Sequence, residues 1–139
     1  MTQADELPPE VALLLRDHIE SYEQLELLLL LRAEPDRSWT EEALGARLCL
    51  PVSLITEALA RLQSAGLANV SETGAKKEHQ YRLQDERIEA TVSELARAYR
   101  DHPMPLIRLM TANAIERVRS SALRAFADAF FLRKDKDGR

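Results

Sequence analysis

Only one cysteine, Cys49, stands in the 139-residue chain, so no disulfide can form within it and a disulfide-stapled scaffold is excluded. Aromatic residues make up just 5% of the sequence, while Leu, Ala, Glu and Arg dominate. Straight-chain residues of that kind lose little rotamer freedom in a helix, so a mostly helical protein is expected. Long apolar runs are missing too. The longest, residues 27–31, falls far short of the ~20 residues a membrane-spanning helix needs, and it reads as a buried core helix. The opening MTQADELPPE has neither the basic nor the apolar region of a secretory signal, which makes the cytoplasm the expected compartment and a membrane an unexpected partner.

Catalytic equipment is equally sparse. His18, His79 and His102 lie far apart and share no spacing that would set two metal ligands on one helix face. The four glycines form no phosphate-cradling loop, and the carboxylates are spread over helix faces rather than paired. No catalytic residue, metal or cofactor is expected, and the work of the chain should be binding.

What is present is an uneven charge. The formal net charge of -4 resolves into 2 basic and 9 acidic residues over 1–36, 8 and 9 over 37–99, and 9 and 5 over 100–139. An acidic start and a basic end can attract one another within a chain or across a dimer, or can simply be solvated helix faces.

Start and stop signals divide the chain. Pro8 and Pro9 precede VALLLRDHI, and proline suits the first helical turn, whose N–H has no intrahelical partner. Ser21 and Gln24 have the spacing of a capping box, which predicts a new helix through the leucine run, ended by Pro35. Thr40 is placed to cap a helix over about 41–48. After Pro51, the spacing of Ile55, Leu59 and Leu62 predicts a helix over about 52–65, stopped by Gly66. LANVSE and EHQYRL flank TGAKK and read as a two-stranded hairpin turning at Gly74. Asp85 or Glu86 opens another helical stretch, His102 and Pro103 interrupt it, and a last helix is expected over about 104–132.

The run WTEEALGARLCLPVSLITEALARLQSAGLANV, followed by SETGAKKEHQYRL, resembles the winged helix-turn-helix superfamily and is most similar to multiple-antibiotic-resistance regulators of the MarR type. The resemblance covers about residues 38–83. Leu44 and Leu48 match core positions of the first motif helix, Cys49 and Leu50 its turn, and Ile55, Leu59 and Leu62 the buried side of the recognition helix. It implies a winged helix-turn-helix domain with a small two-stranded wing (37–84); with the helix signals on either side and the mixed-sign RKDKDGR, the expectation is a mainly α fold with an N-terminal helical segment (1–36), C-terminal helices (85–133) and a disordered tail (134–139). Cys49 reads as a small buried hydrophobe, with a redox switch as the sharper alternative. Trp39 should pack beside the first motif helix.

In such proteins the second helix enters the major groove. The exposed positions here are Pro51, Val52, Ser53, Leu54, Thr56 and Glu57. Ser53 and Thr56 can donate to phosphate, Val52 and Leu54 can touch a thymine methyl, and Glu57 repels phosphate unless it accepts from cytosine. Arg61 lies one turn later. The wing offers Lys76, Lys77, His79 and Arg82, either as contacts to DNA or as an ordinary solvated turn. The expected DNA-binding residues are therefore Ser53, Thr56, Arg61, Lys76, Lys77 and Arg82. With 5 basic and 5 acidic residues over 38–83, the module carries no net charge.

On a helical wheel Ile107, Met110, Ala114, Val118, Ala122, Ala125 and Phe126 fall on one broad stripe of the last helix, the expected dimer seam. The functional expectation is a non-catalytic regulator of transcription that binds double-stranded DNA as a homodimer. The alternative is a winged-helix adaptor that binds a protein of the transcription machinery.

Overall fold

A computed structural model describes residues 7–137, which form six α-helices and one antiparallel hairpin. Pro9 occupies the first turn of α1 (Pro9–His18). The capping box then forms as the spacing predicts. Ser21 Oγ accepts from the Gln24 N–H at 3.2 Å, and Gln24 Oε1 accepts from the N–H groups of Ser21 at 3.1 Å and Glu20 at 2.8 Å. It opens α2 (Tyr22–Ala33), in which Leu25, Leu27, Leu28 and Leu31 are fully buried and Leu29 and Leu30 partly so. A leucine run without a polar face must be covered on several sides, and α3, α4 and the hairpin pack around it.

Thr40 caps α3 (Glu41–Leu48), its hydroxyl accepting from the Ala43 N–H at 3.1 Å. Helix α3 closes at Cys49, which takes a left-handed φ of 57°, while the Leu50 N–H bonds to the Gly45 carbonyl at 3.0 Å. This corrects the reading of Cys49 as a buried hydrophobe: the left-handed closure leaves the residue exposed. Helix α4 (Val52–Ser64) follows directly and buries Ile55, Ala58, Leu59 and Leu62.

The strands are β1 (Ala68–Thr73) and β2 (Lys76–Tyr81), with Ala68 opposite Tyr81 and Thr73 opposite Lys76. They meet across only two loop residues, because Gly74 at φ 78° supplies the positive φ a tight hairpin demands at its first central position. Lys76 and Lys77 are therefore strand residues rather than loop residues. Trp39 extends the sheet by one bridge, exchanging backbone bonds of 2.8 and 2.7 Å with His79.

A short 3-10 turn (Glu86–Ile88) leads into α5 (Glu89–Asp101) and α6 (Pro103–Asp137). Helix α6 runs past its expected end because RKDKD contains no helix breaker before Gly138. Residues 134–137 of the expected disordered tail are thus helical, and its last two residues lie outside the described ones. Helices α1, α5 and the start of α6 pack together, burying Val11, Leu15, Val92, Leu95, Leu106 and Met110. A carboxylate joins this group to the winged part. Glu89 accepts from the Tyr81 hydroxyl at 2.6 Å and pairs with Arg32 at 2.9 Å. Burial raises the Glu89 carboxyl, yet these two partners outweigh it and leave it below its ordinary value. Among the described residues no single helix is long and apolar enough to cross a membrane.

Gly45 tests this packing. Alanine in a helix interior normally gains about 1 kcal/mol over glycine. Here a Cβ would stand 2.9 Å from the Leu50 carbonyl oxygen, a backbone atom in the turn between α3 and α4. Gly45→Ala should therefore destabilise the fold, by about 1–3 kcal/mol. Urea denaturation followed by circular dichroism measures it, and a stabilised variant would mean that the turn yields freely.

Candidate nucleic-acid interface

Helix α4 is amphipathic by construction. Its apolar side lies on α2 and α3, and Pro51, Val52, Ser53, Leu54, Thr56, Glu57, Ala60 and Arg61 remain exposed. Its N-terminus has no side-chain cap and no acidic residue in the first turn. The Pro51 carbonyl accepts from the Leu54 and Ile55 N–H groups, which leaves those of Val52 and Ser53, with the positive end of the helix dipole, for an outside acceptor.

The six expected contact residues do not form one cluster. Ser53 is exposed at the start of α4, with no side-chain hydrogen bond among the described residues. Thr56 is occupied internally: its single hydroxyl proton goes to Glu41 Oε1, 2.5 Å away, or to the Val52 carbonyl at 2.9 Å. Arg61 is occupied too, with Nη1 3.0 Å from Glu20 Oε2 and Nη2 3.7 Å from Glu57 Oε1. Lys76 and Lys77 are exposed beside the hairpin loop, Lys77 standing 3.9 Å from Glu72. Arg82 lies at the other end of the wing, beside Gly66, Ala68 and Gln84, at least five residues or about 17 Å of strand from the lysines. His79, read as a wing contact, turns inward instead and is 5% exposed.

Two carboxylates that spacing did not single out organise this surface. Glu41, in the first turn of α3, accepts from Thr56 of α4 and sits 3.1 Å from His79 Nε2 of β2, so one side chain ties three elements together. The donated Thr56 hydroxyl holds the Glu41 carboxyl below its ordinary value near 4.5; burial opposes this, and His79 adds to it. Glu20, in the turn between α1 and α2, pairs with Arg61 through its side chain. Its carbonyl accepts from Arg117 Nη2 of α6 at 3.1 Å. Beside these groups lies an open hollow of about 250 Å³, also lined by Gln24 and Leu54. The partners are 15, 38, 41 and 97 residues apart, separations that leave no local motif.

Trp39 is buried at 2% exposure, with the Arg37 guanidinium 3.5 Å above its ring. Among the described residues no group of three or more His, Cys, Asp or Glu is arranged to hold a metal. The expected dimer stripe divides. Met110 is buried in the chain's own core and Ile107 is partly covered, whereas Ala114, Val118, Ala122, Ala125 and Phe126 are exposed. Val118 and Phe126 keep 71% and 70% of their surface in solvent, and Ile115, Leu123, Phe130 and Phe131 are bare alongside them.

Glu41 gives a pH signature. A carboxyl depressed in the folded state contributes stability that is present above its ordinary pKa and lost as pH falls through the depressed folded value. Wild-type stability should therefore decline on acidification below about pH 5, and Glu41→Gln should decline less steeply. Urea midpoints from pH 6 to about pH 3 read this, and equal slopes would show that Glu41 carries no such linkage.

No protein-family model matches the chain, and no curated protein sequence matches it. Solved structures do. A variant of S. aureus MepR bound to an oligodeoxyribonucleotide matches with a TM-score of 0.52 at 12% identity, over 86% of this chain and 87% of that one. A variant of Lactococcus lactis ZitR matches with a TM-score of 0.50 at 19% identity, over 82% and 77%. A protein of Methanosarcina mazei Go1, described as a possible transcriptional regulator, matches with a TM-score of 0.51 at 15% identity, over 71% and 85%. At such identities the likeness is one of fold: the chain has a winged helix-turn-helix with flanking helices, similar to regulators of the MarR type.

Proposed function

We propose that the chain is a non-catalytic, cytoplasmic regulator of transcription that binds double-stranded DNA as a homodimer and needs no cofactor. Residues 37–84 read the duplex, and the helical segments 1–36 and 85–133 build the dimer. The observation that carries this reading is the presentation of α4, whose uncapped first turn is exposed while its opposite face is locked into the core and Glu41 links Thr56 to His79 of the wing. The nucleotide-bound MepR variant supports it by analogy of fold. A second reading, an adaptor for a protein of the transcription machinery, draws on the neutralised Arg61 beside exposed Val52 and Leu54.

Fluorescence anisotropy with a random-sequence duplex, between about 50 and 200 mM salt, separates the two. Binding should weaken steeply with salt, and the double variant Lys76→Ala, Lys77→Ala should flatten the log–log slope by up to about 0.9 for each phosphate no longer neutralised. No binding at the lowest salt removes DNA as the ligand and leaves the adaptor.

The dimer has its own test. Val118 is so exposed in a single chain that glutamate there costs the fold little, whereas a carboxylate buried at an apolar seam is costly. Val118→Glu should yield folded monomers, seen by light scattering with unchanged circular dichroism. A wild-type protein that stays monomeric at micromolar concentration defeats the dimer.

A further inference from the structure

We infer that α4 identifies its DNA site through the 5-methyl groups of thymine, packed against Val52 and Leu54; this rests on the DNA-binding reading above. Of the polar side chains early in α4, Thr56 gives its proton to Glu41 or to the Val52 carbonyl, and Arg61 is paired with Glu20 and Glu57. Ser53 is the free hydroxyl. What the first turn offers in bulk is apolar: Val52 keeps 43% and Leu54 37% of its surface in solvent. At 100° per residue they stand on opposite shoulders of the turn, with Ser53 between them. Along the edges of base pairs in the major groove the apolar feature is the thymine methyl; the other groups are hydrogen-bond donors and acceptors, which an isopropyl or isobutyl group leaves unpaired.

Duplex DNA is the occupant of this lip under that reading; because Leu54 borders a hollow lined by Glu20, Glu23, Glu57 and the paired Arg61, the phosphate contacts must come from cations further off. Arg47 at the end of α3 and Lys76 by the wing loop are exposed and form no ion pair among the described residues, so both are available to phosphates. The Val52 and Ser53 N–H groups at the head of α4 add a further anion-facing element. Phosphates hold the module in register, and methyl contacts supply the sequence preference that its few free polar groups do not.

The test uses the full chain and a pool of duplexes with a randomised centre. Binding rounds should enrich thymine at fixed positions. Resynthesis of the winning duplex with deoxyuridine removes only methyl groups, and affinity should fall about fourfold for each contacted methyl, the worth of one buried carbon. Val52→Ala and Leu54→Ala should each shrink the thymine-to-uracil ratio, while Ser53→Ala leaves it unchanged. A duplex bound with site preference but equally well in its uracil form overturns methyl reading and leaves DNA binding standing. Failure to retain any duplex at low salt overturns both, and assigns Val52 and Leu54 to a protein contact.

Discussion

The leucine run of α2, residues 27–31, leaves no polar face, and covering it is the requirement that α2 imposes on the chain. Helices α3 and α4 and strand β2 all lie against it, and each fully buried leucine is worth roughly 1.5–3 kcal/mol relative to exposure. Swinging α4 away would uncover several leucines at once, so the outward face of α4 is set by what lies beneath it. The polar residue at the head of α2 obeys the same rule. Gln24 is 1% exposed, and its amide is satisfied by the backbone N–H groups of Glu20 and Ser21 and by the His18 carbonyl.

The second layer of order is electrostatic and is spent inward. Glu41 draws on Thr56 and His79, Glu89 on Tyr81 and Arg32, and Glu20 on Arg61. The groups so used are the ones a reader of nucleic acid would otherwise turn outward. A motif with equal numbers of cations and anions gains little from its overall field, and a few well-placed contacts must carry what affinity and preference it has.

Helix boundaries were the most legible part of the sequence, because caps and prolines act within one turn: the Ser21 and Gln24 box, Thr40, Pro51 and Gly66 all work where their spacing places them. The hairpin was legible from Gly74, although its strands reach closer to the loop than the composition suggested. Pairings between distant residues were not legible. Nothing in the neighbourhood of Thr56 or Arg61 tells that a carboxylate 15 or 41 residues away holds it, and strand alternation alone did not show that His79 faces inward. Cys49 misled because its side chain follows a backbone conformation that glycine adopts more readily. Met110 misled because a wheel groups residues by angle and cannot tell where along α6 the body of the chain ends.

Helix α6 spans 35 residues, about 52 Å, and beyond Met110 it carries bare aliphatic and aromatic side chains, including Phe126 and Phe130 with ring centroids 6.4 Å apart. A helical arm gains little stability from its own propensity in water, and one that buries no surface frays and offers its backbone to proteases. A solitary chain would then be short-lived in a cell and a covered one durable. The bare arm is thus the part of the chain whose durability turns most on whether something covers it.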